Sequence, residues 1–115
     1  MSAARLVISR HVTPQGVSVL KMAGEIDFNT VGEFRRALAD RANAPRHCTV
    51  VDFSGVTFMD SSGINVLVAA HRDAAAGGGW LRLACLPVGV HDVLHIVGLD
   101  EVLPLYPTLD LALTP

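Results

Sequence analysis

The apolar positions of this chain change period several times, and each change marks an element. Leu6 to Val12 and Val17 to Ala23 are rich in β-branched residues, and Thr13-Pro14-Gln15-Gly16 between them has the composition of a hairpin turn. From Thr30 the period lengthens. Thr30 is placed to cap a helix whose Val31, Phe34, Leu38 and Ala42 form one stripe, with Glu33, Arg36, Asp40 and Arg41 toward water and Pro45 as the stop. Cys48-Thr49-Val50-Val51-Asp52-Phe53 is short, apolar and β-branched, as a central buried strand should be. Helical spacing returns over Ser61 to Ala76 with Ile64, Leu67, Val68, His71 and Ala75, and Gly77-Gly78-Gly79 ends it.

Trp80 to Cys85 alternates as a strand does, with Leu81, Leu83 and Cys85 on one side. Pro87 suits the first turn of a helix that runs to Val97 and closes on Gly98. Val102 to Leu105 predicts a short edge strand, where Pro104 is tolerated because an edge N–H needs no ladder partner. Thr108 to Leu113 adds a last short helix. The order ββαβαβαβα predicts an α/β fold: an opening hairpin, then a mostly parallel sheet of about five strands reached by crossovers, with about four helices. Residues 1–115 are expected to form one domain.

Composition narrows the class. In 115 residues, half apolar and 17% charged, the chain can bury about two-thirds of its surface without metal or disulfide, and it is too apolar for intrinsic disorder. No apolar run approaches the ~18 residues that cross a bilayer, and Met1 to Arg10 lacks the pattern of a signal peptide. Cys48 and Cys85 stand alone in apolar surroundings, where reduced buried thiols are usual. A cytoplasmic location without membrane insertion is the expectation.

The net charge of −2 hides an asymmetry. Up to His47 there are seven Lys/Arg against four Asp/Glu, and beyond it two against seven. The largest basic cluster is Arg35-Arg36, too little for nucleic-acid binding through phosphate neutralisation. The acidic part fits either a protein-facing surface or plainly solvated charge.

The sharpest chemical feature is Phe58-Met59-Asp60-Ser61-Ser62-Gly63. It follows the most buried strand and opens a helix beginning at Ser61 or Ser62. Sites in open α/β sheets sit beyond the carboxyl ends of the strands, which is this position. Both serines are good N-caps, and free N–H groups with the helix dipole favour a negative group there. Spacing alone fits an ordinary helix cap equally well.

Other chemistries find less support. A receiver domain with Asp52 as phosphoacceptor would need an acidic pair after the first strand and a lysine after a late one, yet the only lysine is Lys21. A serine hydrolase would need a G-x-S-x-G elbow, and Met59-Asp60 stands before Ser61 instead. His91 and His95 have the i, i+4 spacing of zinc ligands. Asp92 follows His91, however, where a zinc protease carries glutamate, and no third ligand is convincing, so both are expected to be surface or capping histidines. His71 is expected to be a satisfied core or boundary histidine. Glycines 77 to 79 precede no lysine-bearing helix and are no phosphate loop. Neither a catalytic residue, a metal nor a cofactor is expected.

The stretch Asp52-Phe53-Ser54-Gly55-Val56-Thr57-Phe58-Met59-Asp60-Ser61-Ser62-Gly63 resembles the signature of STAS domains, specifically the bacterial anti-sigma factor antagonists. Gly24-Glu25-Ile26-Asp27 is similar to the family's second marker. Val93-Leu94-His95-Ile96-Val97-Gly98-Leu99 and Val102-Leu103-Pro104-Leu105-Tyr106 are similar to its ending. The resemblance implies a STAS-type fold and a partner switch. The first serine of Asp-Ser-Ser-Gly, here Ser61, would be the phosphorylation site. The unmodified protein would bind an anti-sigma factor that is itself a serine kinase and so free a sigma factor. Phosphate transfer from ATP would end that binding, and a serine phosphatase would restore it. Asp27, Met59, Asp60, Ser61, Ser62, Gly63 and Asn65 would form the partner-binding patch. Asn65 stands where the family often has a small residue, frequently glycine.

The same resemblance admits an accessory subunit on the ATPase of a lipid ABC transporter, or a stressosome scaffold component, but the intact Asp-Ser-Ser-Gly favours the sigma pathway. The oligomeric state is open between monomer and weak dimer. A phosphoserine adds roughly −1.5 to −2 charge. No arginine lies within ten residues of Ser61 in sequence, and Asp60 is adjacent. Modification is therefore expected to block a surface by charge and bulk while the fold persists, provided that the hydroxyl is reachable from outside.

Overall fold

A computed structural model describes residues 5–40 and 46–114. Ten elements follow one another: β1 Leu6–Val12, β2 Ser18–Ile26, α1 Val31–Ala39, β3 Cys48–Met59, α2 Ser61–Ala76, β4 Trp80–Ala84, α3 Val88–Ile96, a 3-10 turn Leu99–Glu101, β5 Leu105–Tyr106 and α4 Leu109–Leu113. The strands form one sheet in the order β1-β2-β3-β4-β5. β1 and β2 pair antiparallel, from Leu6 opposite Gly24 to Val12 opposite Ser18, and every other pair is parallel. The expected hairpin, mostly parallel sheet and four helices are all present.

One face of the sheet carries the main core. Leu20, Met22 and Ile26 of β2, Val51 and Phe53 of β3, and Leu81 and Leu83 of β4 pack against Phe34 and Leu38 of α1, Ile64 and Leu67 of α2, and Val90 and Leu94 of α3. The other face holds a smaller cluster of Val17, Cys48, Val50, Ala84 and Ala112, closed by α4. Arg82 fastens that helix. Its guanidinium lies 3.9 Å from the Trp80 ring centroid and donates to the carbonyls of Ala112 at 2.9 Å and Thr114 at 3.0 Å. Cation–π contact and the helix's free terminal carbonyls act together there. On the opposite edge Arg10 donates to Ser18 Oγ at 2.7 Å and to the Ala37 carbonyl, tying β1 to α1.

Two strands run further than their composition announces. β2 continues to Ile26, three residues past Ala23, and β3 reaches Met59 rather than ending at Phe53. Ser54-Gly55 has turn composition but occupies an irregularity, with register shifts between Lys21 and Ala23 and between Gly24 and Glu25 of β2. A Cβ on Gly55 would stand 2.8 Å from the Ala23 Cβ and 2.9 Å from the Met22 carbonyl oxygen. Only glycine lets the two strands stay paired through the bulge.

Other corrections are local. The edge strand is Leu105–Tyr106, and Leu99–Glu101 makes a 3-10 turn ahead of it, so Val102 lies outside the sheet and Pro104 just before the strand. β4 ends at Ala84, and Cys85 turns into the left-handed region at φ 59°. Pro87 is the N-cap of α3 instead of lying in its first turn. On α2 the buried alanine is Ala74, and Ala75 is exposed. Asp40 is half-buried rather than turned to water. Arg41, Ala42 and Pro45 lie outside the described residues. The last helix begins at Leu109 with Thr108 as its cap, accepting from the Leu111 N–H at 3.1 Å, and Gly98 closes α3 as expected at φ 76°.

Candidate functional site

Two loops meet at the carboxyl rim of β2 and β3. The strands run parallel with Glu25 opposite Phe58 and Ile26 opposite Met59. The Asp60 N–H then donates to the Ile26 carbonyl at 3.1 Å, so the chain leaving β3 stays fastened to the end of β2.

The loop after β2 is built around Asp27. Its Oδ1 accepts from the N–H groups of Asn29 at 2.8 Å and Thr30 at 3.1 Å, and its carbonyl accepts from Val31 at 2.9 Å. Thr30 Oγ1 donates to the Glu25 carbonyl at 2.8 Å and accepts from the Asp27 N–H at 3.0 Å. Thr30 therefore faces back into the loop and makes no side-chain cap on α1, a correction to its expected role. The aspartate turn does that work. Asp27 is half-buried with one carboxylate oxygen occupied by its own loop.

At the second junction Asp60 is extended, at φ −105° and ψ −171°, and its Oδ1 accepts from the Ser62 N–H at 2.8 Å. Asp60 is the N-cap of α2, so neither serine has to serve as one. Ser61 becomes the first helical residue and is exposed; Ser62 is half-buried. The outward reach required of Ser61 is met.

Gly63 is buried beneath them. A Cβ there would stand 2.6 Å from Met59 Cγ and 2.9 Å from Ile26 Cγ2. Its missing side chain lets the first turn of α2 settle onto the ends of β2 and β3. Met59 itself is 3% exposed. Met59 and Gly63 thus lie under the patch and position it, while Asp27, Asp60, Ser61, Ser62 and Asn65 reach its surface. Asn65 is exposed one helical turn beyond Ser61.

Sequence reasoning missed two aromatic rings beside this surface as sites. Phe28, next to Asp27, is 82% exposed, and Phe58, at the end of β3, is 49% exposed. Their signal was available: Phe28 sits in a polar loop, where no helical or strand phase buries it. The surface is also acidic. Among the described residues neither Asp27 nor Asp60 is in an ion pair.

The competing candidates lie elsewhere. Asp52 is buried within β3, not at a strand end, and accepts from the Ser54 N–H at 2.9 Å. Cys85 packs against the smaller apolar cluster as expected but is only half-buried, and the Asp52 carboxylate lies beside it as well. Burial and then Asp52 push its thiol pKa above the ordinary 9.0. His91 and His95 are exposed and stack at 6.4 Å, and His95 Nδ1 meets Asp100 Oδ2 at 2.8 Å. Among the described residues no group of three or more His, Cys, Asp or Glu could hold a metal. His71 is half-buried, but its Nδ1 lacks the partner expected of it among the described residues.

The family model for the STAS domain matches residues 10–112. The chain belongs to the STAS-domain family. This STAS domain is 30% identical over 94 residues to the anti-sigma F factor antagonist of Paenibacillus polymyxa, covering 80% of each chain. It is 29% identical over 116 residues to the anti-sigma-F factor antagonist RsfB of Mycobacterium tuberculosis, covering 99% of this chain and 93% of that one. Among solved structures, an anti-sigma factor antagonist from Mycobacterium paratuberculosis superposes with a TM-score of 0.83 at 33% identity, covering 94% of this chain and 91% of the other. Among the described residues no helix is long and apolar enough to cross a membrane.

Proposed function

We propose that this STAS domain is an anti-sigma factor antagonist, working in the cytoplasm, whose rim surface docks on an anti-sigma factor with serine-kinase activity and whose Ser61 takes the phosphoryl group that ends the docking. The observation that carries this is the exposed Ser61 at the first position of α2, its local backbone held by the Asp60 cap. The names of the relatives, taken with the fold they share, point the same way.

The chemistry asks little of this chain. Ser61 Oγ attacks the γ-phosphorus of ATP bound to the partner, the new O–P bond forms, and the bond to ADP breaks. The hydroxyl proton leaves to a base on the partner. A serine phosphatase reverses the modification with water, releasing inorganic phosphate. The domain is substrate and switch, not catalyst. Phe28 and Phe58 supply apolar anchors around a polar centre, the arrangement in which a few aromatic residues carry much of an interface's energy. A doubly charged phosphoryl group beside Asp27 and Asp60 adds bulk and negative charge that the docked partner had not matched, and a misplaced charge in an interface costs several kcal/mol, of order a hundredfold or more in affinity.

The test is binding to purified anti-sigma factor kinases by calorimetry. Ser61→Ala is expected to bind like the parent chain and to resist labelling by ATP, while Ser61→Asp binds at least several-fold more weakly. Unchanged labelling of Ser61→Ala, or full binding by Ser61→Asp, contradicts the proposal.

A further inference from the structure

α1 and α2 follow parallel strands, so both start at the carboxyl rim of the sheet and run down it side by side. Between them lies a groove of about 400 Å³, floored by Leu38, Val66 and Ala70 and flanked by Arg35 from α1 and Asn65 from α2. On α2 the rows Ser61–Asn65–Ala69 and Ser62–Val66–Ala70 descend at helical i, i+4 spacing. Asn65, Ala69, Val66 and Ala70 all line the groove, and the two serines stand one helical turn before Asn65 and Val66 on the same rows. Arg35 stands four residues into α1 from Val31 and Asn65 four residues into α2 from Ser61, and both line the groove.

We infer that Arg35, with Asn65, is an intramolecular receptor for the phosphoryl group on Ser61. No arginine is near Ser61 in the sequence, yet the crossover puts Arg35 on the groove that Asn65, a single helical turn (~5.4 Å) along α2 from Ser61, also lines. Among the described residues Arg35 makes no ion pair or hydrogen bond, and neither does the Asn65 side chain, so both sets of N–H donors are unspent. A guanidinium presents its donors as a planar fork that matches phosphate oxygens, and an amide four residues on from Ser61 lies on the same helix face. The Asp60 carboxylate is already committed to the Ser62 N–H and leaves the outer side of Ser61 open. The phosphoryl group thereby folds over the α1–α2 seam. Asn65, the departure from the family's small residue, gains a role as a donor to it.

The clamp presupposes that Ser61 is the modified residue, so the test avoids any kinase. Phosphoserine is installed at position 61 of the full chain during synthesis, and the second ionisation of the phosphate is followed by 31P NMR. The charged groups around it on the loops and helices, Asp27, Asp60, Arg36 and Asp73, are the same in every variant. Arg35→Gln is expected to raise the phosphate's second pKa by about half a unit or more, because an opposite charge within reach favours the dianion. Arg35→Lys is expected to restore part of the shift, and Asn65→Ala to raise the value by less than Arg35→Gln does. A smaller difference between Arg35 and Arg35→Gln than half a unit overturns the clamp. Failure of the kinase to label Ser61 would overturn the functional proposal and leave this titration intact.

Discussion

The carboxylate of Asp60 accepts a hydrogen bond from the backbone N–H of Ser62 at 2.8 Å, reaching past Ser61 to do so. The residue between them is therefore freed from capping and stands exposed at the head of α2. Capping α2 and presenting a hydroxyl at its head are separate duties, carried by different side chains.

That separation is testable by substitution. Asp60→Ala removes the cap and should cost about 1 kcal/mol, read as a lower midpoint in urea unfolding. Ser61→Ala, at an exposed position that caps nothing, should leave the midpoint within about 0.5 kcal/mol of the parent. Equal losses from both would mean that Ser61 shares the capping.

Gly63 and Met59 make a second pair. Gly63→Ala drives a methyl into Met59 and Ile26 and should destabilise the fold by about 1–3 kcal/mol, the usual range for overpacking. Shortening Met59 opens room, so Gly63→Ala combined with Met59→Ala should lose less than the sum of the two single changes. Strict additivity in thermal unfolding would contradict the packing described.

The His95–Asp100 pair predicts a pH window. Its hydrogen bond and charge raise the His95 pKa above 6.5, and the same hydrogen bond lowers that of Asp100 below 3.8. The histidine's contribution is complete below pH 6.5 and fades as pH rises through its higher folded value. The carboxylate's contribution is complete above pH 3.8 and fades as pH falls through its lower folded value. Both are whole between about pH 4 and 6.5. His95→Gln should lower the unfolding midpoint at pH 5 and leave it unchanged at pH 9, and the imidazole's 72% exposure keeps the effect small. A difference of the same size at both pH values would show that the pair's charge is irrelevant.

Cys85 should be a slow thiol. Burial first, then the Asp52 carboxylate, disfavour its thiolate, the reactive form. Asp52→Asn should speed its alkylation by iodoacetamide at pH 8, as seen by mass spectrometry of the native protein. Cys48, 4% exposed, should react only after unfolding. An unchanged Cys85 rate in Asp52→Asn would remove the carboxylate from the account.

Much of this was legible in the chain. Strand and helix order followed from the changing period of apolar residues, because the layers bury opposite faces. The position of Asp60-Ser61-Ser62 followed from its place between a buried strand and a helix. Two readings failed: the central strand does not stop at Phe53, because Ser54-Gly55 makes a bulge within it, and Thr30 does not cap, because its hydroxyl is captured by the Glu25 carbonyl. Both errors share a cause: a partner distant in sequence or backward along the chain decided the local conformation. The α1–α2 groove is of the same kind. Arg35 and Asn65 are 30 positions apart in the sequence and meet only through the parallel crossover. Phe28 had a visible signal, an apolar side chain in a polar loop with no phase to bury it.

The fate of the Ser61 hydroxyl decides whether this domain is a phosphorylation switch. The full chain is incubated with a purified serine-kinase anti-sigma factor and ATP, and the peptide holding Asp60 to Gly63 is sequenced by tandem mass spectrometry. One phosphoryl group on Ser61, absent from the Ser61→Ala chain, is the predicted result; labelling of Ser62 alone, or of neither serine with every anti-sigma kinase of the same cell, would contradict it.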